Sequence, residues 1–170
     1  MTTATNSGKR LKPWQALVGF LAACYAVSAI GTLSTIASIP TWYAALNKPS
    51  FNPPNWIFGP VWTILYTLMA IAAWLVWRTP GSRRRTAALW LFAIQLVLNF
   101  LWTPVFFHFH AIAAALAIIV LLWLAILVTT MRFWPLSRSA GWMMLPYLAW
   151  VGFAAALNFE MLRLNAVPLK

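Results

Sequence analysis

Acidic side chains are almost missing: one carboxylate, Glu160, stands against 12 Lys and Arg, and only 8% of the 170 residues are charged. A soluble domain carries about 25% charge. The exterior of a globule built from this chain would be mostly apolar, so a soluble monomer is excluded. The 63% hydrophobic content excludes a largely unfolded chain as well. A lone carboxylate has no partner for acid–base catalysis. No Gly-rich phosphate loop, Ser-His-Asp set or cysteine cluster is present, which speaks against hydrolytic and nucleotide-driven chemistry. One cysteine, Cys24, permits no intramolecular disulfide. His108 and His110 flank Phe109 without the further ligands a metal or haem needs. No metal and no required cofactor is therefore expected.

What the chain has instead is long apolar runs and 12 tryptophans. Charge-free stretches cover 14–39, 58–77, 87–107, 111–131 and 140–159, the last continuing as a helix to 163. About 20 residues cross the hydrocarbon core as a helix. A β-barrel would need strands of alternating polarity, which these runs do not show. The expected fold is all-α: one domain, an integral membrane bundle of five transmembrane helices. Leu21-Ala22-Ala23-Cys24 reads like a lipoprotein cleavage site, but a mature lipoprotein continues into polar sequence and here the apolar run persists through Ile39.

The basic residues fall in short gaps between the spans, so no nucleic-acid partner is expected. Nine of them (Lys9, Arg10, Lys12, Arg78, Arg83, Arg84, Arg85, Arg132 and Arg138) collect on the amino-terminal side, against Lys48, Arg163 and Lys170 on the other. In a bacterial inner membrane that asymmetry puts the amino terminus in the cytoplasm. Glu160 and Arg163 stand three apart, which predicts an ion pair on one helix.

The segment 40–57 is not a linker. It holds Pro40, Pro49, Pro53 and Pro54 with Trp42, Tyr43, Phe51 and Trp56. Proline fixes φ and restricts the residue before it. A stiff loop with bulky apolar groups suits a packed lid, or a loop lying in the headgroup layer.

Polar groups at membrane depth face other helices or a cavity. Trp62, Tyr66, Met69 and Ala73 share one helical face, as do Gln95, Asn99 and Trp102, and again Tyr147, Trp150, Ala154 and Asn158. Such stripes suit a large planar guest, with rings stacking on it and polar tips fixing its orientation. They equally suit amides that bond one helix to the next. Gly19 with Ala23 and Gly152 with Ala156, four apart, would permit close helix contact under either reading.

The string Trp42-Tyr43, Leu46-Asn47-Lys48-Pro49-Ser50-Phe51-Asn52-Pro53-Pro54-Asn55-Trp56, Gly59-Pro60-Val61-Trp62 and Leu65-Tyr66 resembles the translocator protein family, also called tryptophan-rich sensory proteins or peripheral benzodiazepine receptors. Gln95-Leu96 with Asn99, Trp102-Thr103-Pro104-Val105-Phe106-Phe107, Pro146-Tyr147-Leu148-Ala149-Trp150 and Leu157-Asn158-Phe159 with Arg163 extend the likeness over about residues 14–165. The resemblance implies a five-helix bundle, commonly a homodimer in the bilayer, with a pocket under the first loop for porphyrins, sterols or benzodiazepine-type drugs. By position that pocket falls on Trp42, Tyr43, Trp62, Tyr66, Gln95, Asn99, Trp102, Trp150 and Ala154. The family's sterol-recognition stretch maps to Leu157, Phe159 and Arg163, with Phe159 where the family has tyrosine. Many members also carry Trp where this chain has Ser50 or Phe51.

The function expected from the stripes and the resemblance is a receptor or transporter for tetrapyrroles and related flat hydrophobic molecules, in a sensory role. Basic residues such as Lys48 would meet porphyrin propionates. Two rivals stand beside it: an enzyme for light- and oxygen-dependent porphyrin breakdown, and a dimeric regulatory scaffold.

Overall fold

The computed structural model describes residues 12–165, so Lys9, Arg10 and Lys170 lie outside the described residues. Helices run as α1 (Pro13–Ile36), α2 (Trp42–Ala45), α3 (Asn55–Trp77), α4 (Arg83–Phe107), α5 (Ile112–Phe133) and α6 (Arg138–Asn165). Five of them are long and apolar enough to cross a membrane, and no strand occurs among the described residues. The sixth, α2, is a single turn within the loop.

Local chemistry sets the ends. Pro13 opens α1, where its missing N–H is no loss, and the Gln15 side chain accepts from the Lys12 backbone N–H at 2.9 Å. Ser82 caps α4 by accepting from the Arg85 N–H at 3.1 Å. Arg85 then reaches back to donate to the carbonyls of Trp77 and Thr79, at 3.2 and 2.8 Å, satisfying the last turn of α3. These caps explain why α4 starts at Arg83, earlier than hydropathy alone expects: the three arginines belong to the helix but not to the hydrocarbon. α1 stops at Ile36, where hydropathy would carry it to 39. Residues 37–41 turn instead, tied down by a hydrogen bond from the Ser38 hydroxyl to the Phe107 carbonyl.

The long helices close a ring in the order α1, α3, α6, α5, α4 and back to α1. The end of the ring that carries Arg78, Arg83, Arg84, Arg132 and Arg138 is the basic end; the other, under α2, is the lid end. At the basic end the interior is solid. Met69, Ala72, Ala73 and Val76 of α3, Ala88 of α4, Phe133 of α5 and Ala140 and Met144 of α6 are completely buried. Alanines let helix backbones approach closely, as bilayer bundles require. Gly141 sits under the Trp134 indole, and a Cβ there would lie 2.4 Å from the ring.

Trp14, Trp56, Trp90 and Trp142 are exposed on the outside of the bundle, at 60 to 74%, where indoles anchor a protein in the headgroup layers. Gly19 and Ala23, expected at a helix contact, face outward, with nothing within 4 Å of the Gly19 Cβ position. A Cβ at Gly152 would lie 3.1 Å from the Trp123 indole nitrogen, while Ala156 is exposed.

Candidate ligand cavity

At the lid end the ring is hollow. A cavity of about 380 Å³ lies among α1, α3, α4 and α6 beneath α2. Phe58, Trp62 and Tyr66 line it from α3, Trp102 and Phe106 from α4, and Trp150, Ala154 and Leu157 from α6. Among the described residues, no charged side chain lines it. All three indoles at the wall come from different helices, and each of these helices carries an internal proline: Pro60, Pro104 and Pro146. Each proline removes one rung of its helix ladder. Helix α5 has no proline and takes no part in the lining.

One wall was not anticipated. Ser28, Gly31, Thr32 and Thr35 of α1 line the cavity opposite the indoles. Their spacing follows a helical face, but serine and threonine in a span read as neutral fillers. The Thr32 hydroxyl donates to the Ser28 carbonyl and Thr35 to that of Thr32, at 2.9 and 2.8 Å. These hydroxyls are thereby satisfied within their own helix.

The lid is held from several directions. Trp42 stacks on His110 with ring centres 4.1 Å apart and meets Phe106 edge-on at 5.6 Å. His110 takes φ 55°, the left-handed turn that brings the chain from α4 into α5. Tyr43, whose ring caps the cavity, donates its hydroxyl to Asn52 Oδ1 at 3.1 Å. Burial pushes the Tyr43 phenol above its ordinary value of 10.0, because the phenolate would lose hydration. Lys48 places its ammonium 4.9 Å from the Tyr43 ring centre and donates to the Ala44 and Leu46 carbonyls. Asn47 and Asn165 close a two-bond clasp between lid and α6, each bond 3.0 Å.

Of the nine positions implied by the resemblance, Tyr43, Trp62, Tyr66, Trp102, Trp150 and Ala154 line this cavity. Trp42, Gln95 and Asn99 do not. Trp42 anchors the lid from behind. Gln95 and Asn99 lie deeper, where Asn99 bonds to Tyr66 and Tyr147 at 2.6 and 2.8 Å, and Tyr147 donates to Gln95 at 2.9 Å. Here the amides bond helix to helix, joining α3, α4 and α6 below the cavity. Met69 and Ala73, on the same stripe as Trp62, belong to the solid core. Asn158 lines the cavity and is bonded through both amide atoms: it accepts from the Trp102 indole at 3.1 Å and donates to the Ile112 carbonyl at 3.0 Å.

The three positions of the sterol stretch do not share a face. Leu157 is buried at the cavity, Phe159 is 52% exposed, and Arg163 is exposed and paired with Glu160 at 2.8 Å. No group of three potential metal ligands occurs among the described residues. The buried Cys24 is free.

A family model described as TspO/MBR matches residues 20–164. A tryptophan-rich sensory protein of Cereibacter sphaeroides is 44% identical over 152 residues, covering 89% of this chain and 92% of the relative. Protein CrtK of Rhodobacter capsulatus is 42% identical, over 82% of this chain and 88% of its own length. The translocator protein of Homo sapiens is 36% identical, over 90% and 92%.

Proposed function

The chain belongs to the TspO/MBR family, and from that premise we propose that it is a membrane receptor that binds porphyrins and related flat hydrophobic molecules in the lid-end cavity. The sensory and translocator names of its relatives support a sensory or receptor role in a multi-pass membrane protein. The observation that carries the ligand class is the convergence of Trp62, Trp102 and Trp150 on one uncharged hollow. Indoles on three walls stack on a planar ring system from more than one side. The volume of about 380 Å³ lies within the range of small-molecule sites, roughly 300–1,000 Å³.

A porphyrin's propionates are not accommodated among uncharged walls, so they lie at the mouth. Lys48 uses two of its three ammonium protons on Ala44 and Leu46, which leaves one for a carboxylate. In a bacterial inner membrane, the excess of arginine would turn the basic end to the cytoplasm.

Protein in nanodiscs, titrated with protoporphyrin, should show saturable quenching of tryptophan fluorescence. Trp150→Ala should weaken binding by about tenfold or more. Absence of saturable quenching in the wild type refutes the reading. Illumination of the complex in air separates binding from breakdown: a receptor returns the porphyrin spectrum unchanged.

A further inference from the structure

The four polar groups below the cavity form a hydrogen-bond chain with a direction. Tyr66 donates to Asn99 Oδ1, Asn99 Nδ2 donates to the Tyr147 hydroxyl, and that hydroxyl donates to Gln95 Oε1. The chain ends poorly. Gln95 is 0% exposed, and its Nε2 has no acceptor among the described residues. A buried donor without a partner is a rarer and costlier defect than a carbonyl left short of one bond.

The same four side chains support the opposite direction. A carboxamide turned over by 180° keeps nearly the same shape while exchanging donor for acceptor, and a phenolic proton can swing to a new partner. With both amides turned, Gln95 Nε2 donates to Tyr147, Tyr147 donates to Asn99 Oδ1, and Asn99 Nδ2 donates to the Tyr66 oxygen. The unpaired group at the far end becomes the Gln95 carbonyl, the cheaper orphan. At the near end the Tyr66 proton is released. Tyr66 is the one member of the chain that lines the cavity, with the Trp62 ring beside it at 5.4 Å.

The two directions therefore answer to what fills the cavity. Empty, reversal would trade one orphan donor for another, Gln95 Nε2 for the Tyr66 hydroxyl. Occupied by a guest with an acceptor at that edge, reversal satisfies both.

We propose that this chain reverses on binding, turning Tyr66 into a hydrogen-bond donor that selects flat apolar guests bearing a carbonyl-type acceptor on one edge. The proposal deepens the reading of the cavity as a ligand site and rests on it. Gln95 touches no guest and acts through Tyr147 and Asn99, as a positioning residue.

Fluorenone and fluorene make a matched pair, one flat skeleton with a carbonyl in place of a methylene. Binding of each to protein in nanodiscs is measured by titration calorimetry, with empty nanodiscs subtracted. Wild type should prefer fluorenone by about tenfold, the worth of one buried hydrogen bond. Tyr66→Phe should abolish the preference, so that this variant binds the two probes equally. Gln95→Met, similar in size but unable to hydrogen-bond, strands the Tyr147 proton unless the chain reverses, so the preference should persist at about tenfold or more; its loss in the folded variant overturns the proposal. Equal affinities in wild type, or an undiminished preference in Tyr66→Phe, overturn the proposal while leaving the cavity reading intact. If Gln95→Met fails to fold, Tyr66→Phe decides alone. Binding of neither probe overturns the proposal and the cavity reading together.

Discussion

The two ends of the bundle are built from the same helices and have opposite interiors. At the basic end, alanines and methionines meet without space: Met69, Ala72, Ala73, Ala88, Ala140 and Met144 are completely buried. At the lid end, the continuation of α3, α4 and α6 presents indoles to a hollow faced by small hydroxyl residues of α1. Helix direction does not make the difference, because the ring order is the same throughout. Side-chain size does. Small residues on every neighbour let backbones close up. Indoles and phenols on three walls hold the backbones apart, and α1 offers nothing large enough to fill the gap. The tyrosine–amide chain marks the border, fastening three helices where solid packing stops.

If the solid end holds the bundle and the hollow end holds the ligand, substitutions should separate the two. The largest expected effect is on binding: Trp150→Ala should lower protoporphyrin affinity by about tenfold or more and leave the thermal unfolding midpoint nearly unchanged, read by quenching and by circular dichroism. Next comes stability. Gly141→Ala forces a methyl against the Trp134 ring and should destabilise the bundle by about 1–3 kcal/mol, while the folded fraction binds porphyrin as before. Should Gly141→Ala abolish binding in fully folded protein, the division between the ends is wrong.

Smaller effects sharpen the lid's part. Asn165→Ala removes both bonds of the clasp to Asn47. Porphyrin dissociation should speed up by about threefold to tenfold, in line with one or two exposed hydrogen bonds, with the association rate little altered; stopped-flow quenching measures both. The smallest is a pH effect. The Tyr43 phenol is raised above 10.0 by burial, so its neutral form is favoured in the closed lid. That contribution is fully present below pH 10 and is lost as pH rises through the higher folded value, because the opened lid ionises first. Porphyrin off-rates should thus stay flat from pH 7 to about 9 and increase above about 10, and Tyr43→Phe should remove the alkaline limb.

The spans were legible because hydrocarbon demands about 20 apolar residues whatever the fold. Their ends were less so: Ser82 and Arg85 extend α4 into the headgroup zone by capping chemistry that hydropathy does not weigh. The short helix α2 depends on Phe106 and His110, more than 60 positions away, and no local pattern announces it. Periodicity identified the inward faces and was silent about depth. Trp62 and Ala73 share a face, yet one lines the cavity and the other fills the core. Asn99 and Trp102 are one turn apart and differ in the same way. At 1.5 Å per residue, a shift of three or four positions along a stripe crosses the border between solid and hollow. The α1 wall escaped notice because its threonines bond to their own helix and carry no signal of a partner.

The central claim is that the hollow itself is the binding site. Ala154 lines it without contributing a ring of its own, so Ala154→Phe fills the space and removes no stacking group. The decisive measurement is a protoporphyrin titration of this variant against the wild type, in nanodiscs, with helix content and unfolding midpoint recorded alongside. Saturable quenching in the wild type and its loss in a folded Ala154→Phe is the predicted result. Equal affinity in the two proteins would contradict the account.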